Sequence, residues 1–584
     1  MRILLVHPED SPLRGPWAAQ RWDLVVDLGR SSVSSVHEWQ ERLCCPVLRS
    51  DFFRCGIEDL RQVRNLFSAG RGYLLDEEGI DWWDLASLVV APEAESLIVL
   101  QRMAAEVKET SEPEVWATRT GWSSKVTAML LGVQLRAFGN NGLARSTSWV
   151  LHYARLLQRF RAAQIKEIFL DKYDSQYQFR SRFASRQEKR TEPVVLVPSA
   201  YGNVSRMAAA YARLLPEQSF LLVSTRKNAS QFTPPSNIHI RNIAAYTDTL
   251  PPLAETSSIL ERWRLLQQKL SAGREFEVLA SAGVFQHFAR WFRDGLIARN
   301  AWRQVLAREP VKGVLCGDDS NIYTRVPVLL AAKRKIPTVD FHHGALDGRY
   351  LLKDLPCDVY LAKNEMERDY LVRVCSLPAE QIVIASPAAD EAGATRSADG
   401  RRETAVVLFS EPYEVAGMRP EEVYRELLPA LCRIARENGR SVIVKLHPFE
   451  SRAQRQKLVR DVLSLEDREL VTVMDGPLTS ALMQRAWFGI TVESTTAMDC
   501  LQSGVRCFLC GWLSMSSYEY PRQYARFGVA EVLSDLAQIA EIPPRLRELQ
   551  NRRMLPLNLS RVANPALLRR WLTSRVTDNA RSVS

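Results

Sequence analysis

No stretch of this 584-residue chain approaches the ~20 uninterrupted apolar residues that a membrane-spanning helix needs. The opening MRILLVHPED lacks the architecture of a signal peptide and reads as a strand followed by a turn, so a cytoplasmic location is expected. There is no D-x-D motif to seat a divalent cation. The ten cysteines are scattered: Cys507 and Cys510 form a C-x-x-C pair inside the apolar run VRCFLC, and no second such pair or His pair completes a zinc site. Core thiols are expected there, and no metal. Histidine is scarce, eight in all, so each one at a strand end stands out.

The composition, 46% hydrophobic and 25% charged, is that of an ordinary globular protein, but the length exceeds one hydrophobic core. The 77 basic residues against 67 acidic ones leave a formal charge of +10, which suggests an anionic partner. Phosphorylated metabolites, anionic lipid surfaces and nucleic acid all fit that charge.

Two polar stretches without hydrophobic periodicity, SRFASRQEKRTE at 181–192 and AADEAGATRSADGRRET at 388–404, read as linkers. They divide the chain into segments 1–180, 193–390 and 403–575. In the third segment short apolar runs (AVVLF, SVIVKL, LVTVM, FGITV, VRCFLC) alternate with helical patterns, which predicts parallel strands with right-handed crossovers and a doubly wound sheet. The middle segment repeats the scheme with PVVLVPS, FLLVST, KGVLCGD, PTVDFHH, DVYLAK and IVIAS, interrupted at 255–308 by a Trp- and Arg-rich helical region that reads as a specificity insert. The first segment opens with RILLV and DLVVDLG, again α/β in character. Its stretch SWVLHYARLLQRFRAAQ, with Arg155, Arg159 and Arg161 beside Trp149, Leu156 and Phe160, is a basic amphipathic helix that suits either packing on its own domain or contact with a membrane surface.

The carboxyl edges of such sheets are where ligands bind. In SVIVKLHPFES the proline ends the strand and leaves His447, with Pro448, at that edge. In ESTTAMD, Ser494, Thr495 and Thr496 fall where a strand gives way to a helix. There free N–H groups, hydroxyls and the helix dipole favour a phosphate, although the same residues also serve as an ordinary N-cap. SEP at 410–412, with Glu411, and Asp475 follow strands of the same sheet. In the middle segment CGDDSN places Asp318 and Asp319, and DFHHG places His342 and His343, at neighbouring strand ends, as a general base for a hydroxyl requires. Gly344 is expected to permit a tight turn beneath a ligand. The two sheets are expected to face each other across a cleft.

DFHHG, CDVYLAKNEMERDYL, QIVIASP, VKLHP and TVESTTAMDCLQSGVRCFL together resemble the capsule and teichoic-acid branch of the GT-B glycosyltransferases, which includes polysialyltransferases, CDP-glycerol glycerophosphotransferases and bacterial sialyl- and Kdo-transferases. The resemblance covers about 194 to 515. It implies a GT-B-like pair of doubly wound Rossmann-type domains, acceptor side 193–390 and nucleotide-donor side 403–575, beside an additional N-terminal α/β domain over 1–180. It also implies that His447 with Pro448, and Ser494 with Thr495, hold the donor's phosphates, and that Asp318, Asp319 or His343 acts as base. The acidic residue of the following helix is Asp499, where the family has glutamate.

The activity this implies is metal-independent transfer of a sugar, or a polyol phosphate, from a nucleotide donor to a hydroxyl of a surface polysaccharide or glycolipid. No cofactor beyond the nucleotide-activated sugar is expected, nor nucleic acid; the acceptor would lie near the inner membrane surface. A UDP-N-acetylglucosamine 2-epimerase-like enzyme, or a non-catalytic nucleotide- or glycan-binding subunit, shares the fold.

Overall fold

A computed structural model of the chain describes residues 1–7, 10, 12, 15–29, 33–49, 53, 55–108, 113–138, 190–247, 251–317, 319, 322–344, 346, 349–387, 403–413, 419–513, 519–549 and 563–574. The basic amphipathic stretch around Arg155 and the residue Asp318 lie outside the described residues.

The described residues form three parallel sheets. The first contains β1 (Arg2–Val6), β2 (Leu24–Asp27), β3 (Val47–Arg49), β4 (Glu114–Ala117) and β5 (Arg136–Ala137), in the order β3-β2-β1-β4-β5. The second contains β6 (Val194–Ser199), β7 (Phe220–Ser224), β8 (Ile238–Asn242), β9 (Val311–Cys316), β10 (Thr338–Phe341), β11 (Val359–Ala362) and β12 (Ile382–Ile384), ordered β12-β11-β10-β9-β6-β7-β8. The third contains β13 (Ala405–Phe409), β14 (Ser441–Lys445), β15 (Val471–Met474), β16 (Ala486–Thr491), β17 (Cys507–Cys510) and β18 (Glu531–Leu533), ordered β15-β14-β13-β16-β17-β18. In each sheet the chain builds outward on one side of its first strand and then crosses to the other, the doubly wound Rossmann-type arrangement. The α/β class is thus as expected.

Central strands such as β6 and β13 are continuous apolar runs because helices cover both of their faces, and every residue of each is buried. Five strands fall outside the sequence expectation: β3, β4 and β5 of the first sheet, β8 of the second and β18 of the third. β8, IHIRN, alternates apolar and polar residues at a sheet edge with Ile238 alone fully buried, and β3, β4, β5 and β18 are two to four residues long. None presents the long apolar run by which the others are recognised.

The chain divides into two compact units. One is drawn from Met1–Ile57, Ser96–Asn141 and Ala389–Leu557, and contains the first and third sheets. Within it the helix Val33–Leu43 meets the helix Pro420–Glu437: Ser35 Oγ donates to Glu422 Oε2 at 2.6 Å and accepts from Arg425 Nη1 at 3.1 Å. The amino-terminal sheet therefore shares a unit with the sheet that carries His447.

The other unit is drawn from Glu58–Glu95, Gly142–Ala388 and Asn558–Ser584. The insert expected at 255–308 appears as helices Leu253–Leu270, Arg274–Ser281 and Phe288–Arg308. It packs on residues 58–95. Arg299, fully buried, donates to both oxygens of Glu255 (2.5 and 2.7 Å) and lies 3.3 Å from Asp76, while Trp83 stacks on Trp263 with centroids 6.0 Å apart. The last described helix, Pro565–Thr573, packs with the second sheet rather than the third: Leu568 and Leu572 join the core of β6, β7 and β9–β11. Gly313 makes this possible, since a Cβ there would lie 2.0 Å from the Leu572 carbonyl oxygen.

Candidate functional site

The third sheet has its topological switch between β13 and β16, and the crevice at their carboxyl ends is the position where doubly wound sheets take ligands. Glu411, two residues past β13, reaches across this crevice. Its Oε1 accepts from Thr491 Oγ1 (2.6 Å) and from the backbone N–H groups of Val492 and Glu493 (both 2.8 Å). Burial pushes its carboxyl up to about 7 even against these donors. Glu411 thus binds the chain's own backbone and fixes the loop leading to Ser494, a positioning role that differs from the ligand contact expected of it.

His447 lies half-buried beyond β14, the neighbour of β13. The turn closes with Glu450 N–H donating to the His447 carbonyl (3.0 Å), and Phe449 N–H donates to His447 Nδ1 (3.3 Å). With Nδ1 accepting, the proton of the neutral ring sits on Nε2. Burial holds the imidazole below its ordinary value, and Glu450 only partly opposes this. Near neutrality the ring is therefore a neutral hydrogen-bond donor at Nε2. Pro448 is exposed and sets the turn.

Beyond β16, Ser494, Thr495 and Thr496 are half-buried at the start of the short helix Thr496–Gln502. Ser494 Oγ accepts from Thr496 N–H at 3.3 Å, a local turn bond made one residue before the N-cap Thr495, whose own side chain makes no capping bond, while Thr496 Oγ1 is buried without a hydrogen-bond partner among the described residues. The helix lies close on its strand because Gly489 leaves room: a Cβ there would sit 2.8 Å from Cys500 Sγ and from the Phe409 ring. Asp499 is half-buried on the first turn. Asp475, past β15, is exposed and pairs with Arg452 at 3.3 Å.

The sequence reading missed Glu450, whose side chain is almost wholly buried. Its Oε2 accepts from His447 N–H (2.7 Å), and its Oε1 accepts from Ser410 Oγ (2.8 Å) and Arg455 Nε (2.7 Å). Beside it, buried Lys445 donates to the carbonyls of Leu446 (2.9 Å) and Gly476 (2.7 Å). The available signal was an acidic residue three positions after a strand-ending histidine, within reach of the unpaired N–H groups of the turn.

In the second sheet, His343 lies half-buried past β10 with its ring 5.0 Å from that of buried His342. Asp319, past the neighbouring β9, does not suit the role of base. It is 1% exposed, accepts from Arg325 Nη1 at 2.7 Å and pairs with Lys353. Burial alone would raise its carboxyl, but Lys353 and Arg325 prevail and hold it below the usual range, so it stays an anion that takes up no proton near neutrality. Asp340, inside β10, was also missed. Burial, and then the Asp319 charge, push its carboxyl well above the usual range. Among the described residues Gly344 answers no steric demand: its φ lies outside the left-handed region, and of their atoms a Cβ would meet His342 Nε2 alone, at 3.9 Å.

Among the described residues no cluster of His, Cys, Asp or Glu is arranged to hold a metal. Cys507 and Cys510 are free and buried in β17. No described helix is long and apolar enough to cross a membrane.

No family model and no curated protein matches the chain. Among solved structures it is similar to the UDP-GlcNAc 2-epimerase of Methanocaldococcus jannaschii, with 12% identity over 65% of this chain and 98% of that one and a TM-score of 0.40. It is similar to the UDP-GlcNAc 2-epimerase of Neisseria meningitidis bound to UDP-GlcNAc (13% identity, 65% and 97% of the chains, TM-score 0.38), and to a glycosyltransferase from Rickettsia africae ESF-5 (8%, 66% and 94%, TM-score 0.37). At that level of likeness, the functional reading rests on the residues of this chain.

Proposed function

We propose that the chain is a nucleotide-sugar-dependent enzyme of the GT-B type that transfers a sugar, or a polyol phosphate, to a hydroxyl of a glycan or glycolipid without a bound metal. The observation that carries this reading is the placement of His447 and Ser494–Thr496 at the carboxyl ends of β14 and β16, on either side of β13, at the switch point of a doubly wound sheet. Two strand spacings separate them, about 10 Å, which suits a diphosphate and its flanking groups better than a single phosphate. His447 donates from Nε2 and gains a proton on Nδ1 as the phosphate charge approaches, which releases the Phe449 N–H from that nitrogen while the backbone bonds to Glu450 keep the turn, and the Ser494 and Thr495 hydroxyls with nearby N–H groups complete the anion site. Asp499, on the following helix, is the candidate contact to the ribose. Glu411 and Glu450 hold the two loops in place.

On the acceptor side, His343 is the candidate base, since Asp319 is committed to its ion pairs. The resemblance of DFHHG, VKLHP and TVESTTAMD to the capsule and teichoic-acid enzymes supports transfer over epimerisation. Isothermal titration with CMP, CDP, UDP, GDP and ADP, run beside a donor-turnover assay with and without glycan acceptor, tests the reading. Acceptor-dependent turnover that survives chelation by EDTA supports it. Turnover of the nucleotide sugar into its epimer without acceptor supports an epimerase, and binding without turnover a non-catalytic subunit.

A further inference from the structure

We propose that Phe449 is the platform on which the base of the bound nucleotide stacks, an inference that rests on the nucleotide site just described. Among the described Phe, Tyr and Trp residues Phe449 is the most exposed, with 68% of its surface open. An unanchored loop carries such a ring by chance, but this turn is tied down by hydrogen bonds. It is closed by the Glu450 N–H bond to the His447 carbonyl and by the Phe449 N–H bond to His447 Nδ1, and it is anchored to the core through Glu450, Ser410 and Arg455. A single exposed apolar residue is ordinary on a protein surface; what distinguishes Phe449 is that its ring is held in the open at a fixed place against His447.

The position favours a nucleobase as the occupant. The Phe449 centroid lies 4.9 Å from that of His447, at 59° between the ring planes. A ligand whose phosphate meets His447 Nε2 therefore has its nucleoside portion within reach of the open ring. Every base offers a flat π-face, so stacking adds affinity without choosing the base, and the truncation cost of such stacking corresponds to about 5- to 150-fold in affinity.

The test uses the full chain, wild type and the variants Phe449→Ala, Phe449→Trp and His447→Ala, titrated calorimetrically with CDP, UDP, GDP and ADP and with inorganic pyrophosphate, which has no base. The proposal expects Phe449→Ala to lose about 5- to 150-fold for the preferred nucleotide while pyrophosphate affinity stays at the wild-type value, Phe449→Trp to restore nucleotide binding, and His447→Ala to weaken both ligands. Equal loss of nucleotide and pyrophosphate in Phe449→Ala, no loss of either, or failure of Trp to restore binding would overturn the stacking role and leave the phosphate site standing. A wild-type chain that binds neither nucleotide nor pyrophosphate would overturn both.

Discussion

Glu450 accepts a hydrogen bond from the His447 backbone N–H at 2.7 Å, and so the residue that orients the histidine is a buried carboxylate three positions along the same turn. Removing it should disturb two properties together. Glu450→Ala leaves Arg455 buried without its carboxylate, and breaking a buried pair in this way costs about 3 to 5 kcal/mol. The expected outcome is a lower urea midpoint together with weaker nucleotide binding, since the His447 ring loses its fixed turn. Unchanged stability would mean that solvent reaches Arg455 in the variant.

His447 should make binding depend on pH. In the free chain burial holds its imidazole below the ordinary value, whereas a phosphate beside Nε2 favours the charged form. The bound chain therefore holds more protons than the free chain, and affinity for a nucleoside diphosphate should rise as pH falls from 8 towards 6. The ligand's own titration contributes to this slope, so the comparison is with His447→Asn, in which the difference from wild type should vanish at high pH. Calorimetry in buffers of different ionisation enthalpy reads the proton uptake directly.

Glu411 should make stability depend on pH in the opposite sense to an ordinary paired carboxylate. Its folded value is raised from 4.5 to about 7, so the folded chain holds this proton more tightly than the unfolded chain. The contribution is fully present below about 4.5 and is lost as pH rises through about 7, a change of roughly 3 kcal/mol. Glu411→Gln keeps an oxygen for the Thr491, Val492 and Glu493 donors but does not titrate. Its Tm should fall less than that of the wild type between pH 5 and pH 8, and identical profiles would show that Glu411 is ionised throughout.

Asp319 and His343 should separate structure from chemistry. Asp319→Asn weakens a buried carboxylate held by two cations and should lower Tm, with about 3 to 5 kcal/mol at stake. His343→Ala should fold normally, bind nucleotide with wild-type affinity and lose about 10²- to 10⁴-fold in turnover, as expected when a general base is removed.

The fold was legible where strands are covered on both faces. AVVLF, SVIVKL and PVVLVPS announce themselves because each contains three or more consecutive apolar, mostly β-branched residues, whereas β8 alternates at an edge and passes as a loop. The site was legible to the extent that proline punctuates it: Pro448 marks where β14 ends and so places His447. What stayed hidden is which acidic side chains turn inward. Asp319 reads as a base in CGDDSN because its partners, Arg325 and Lys353, stand six and 34 positions away, and Glu411 reads as a ligand contact because Thr491 and its neighbours lie 80 positions or more along the chain. Such pairings form only when strands that are distant in sequence become neighbours in the sheet.

The central claim is that the carboxyl edge of β13, β14 and β16 holds the nucleotide. Hydrogen exchange of the full chain with and without a saturating nucleoside diphosphate tests it most directly. The account predicts protection concentrated at residues 445–450 and 491–496 and abolished in His447→Ala. Protection confined to residues 1–138, or a His447→Ala variant that is protected like the wild type, would contradict it.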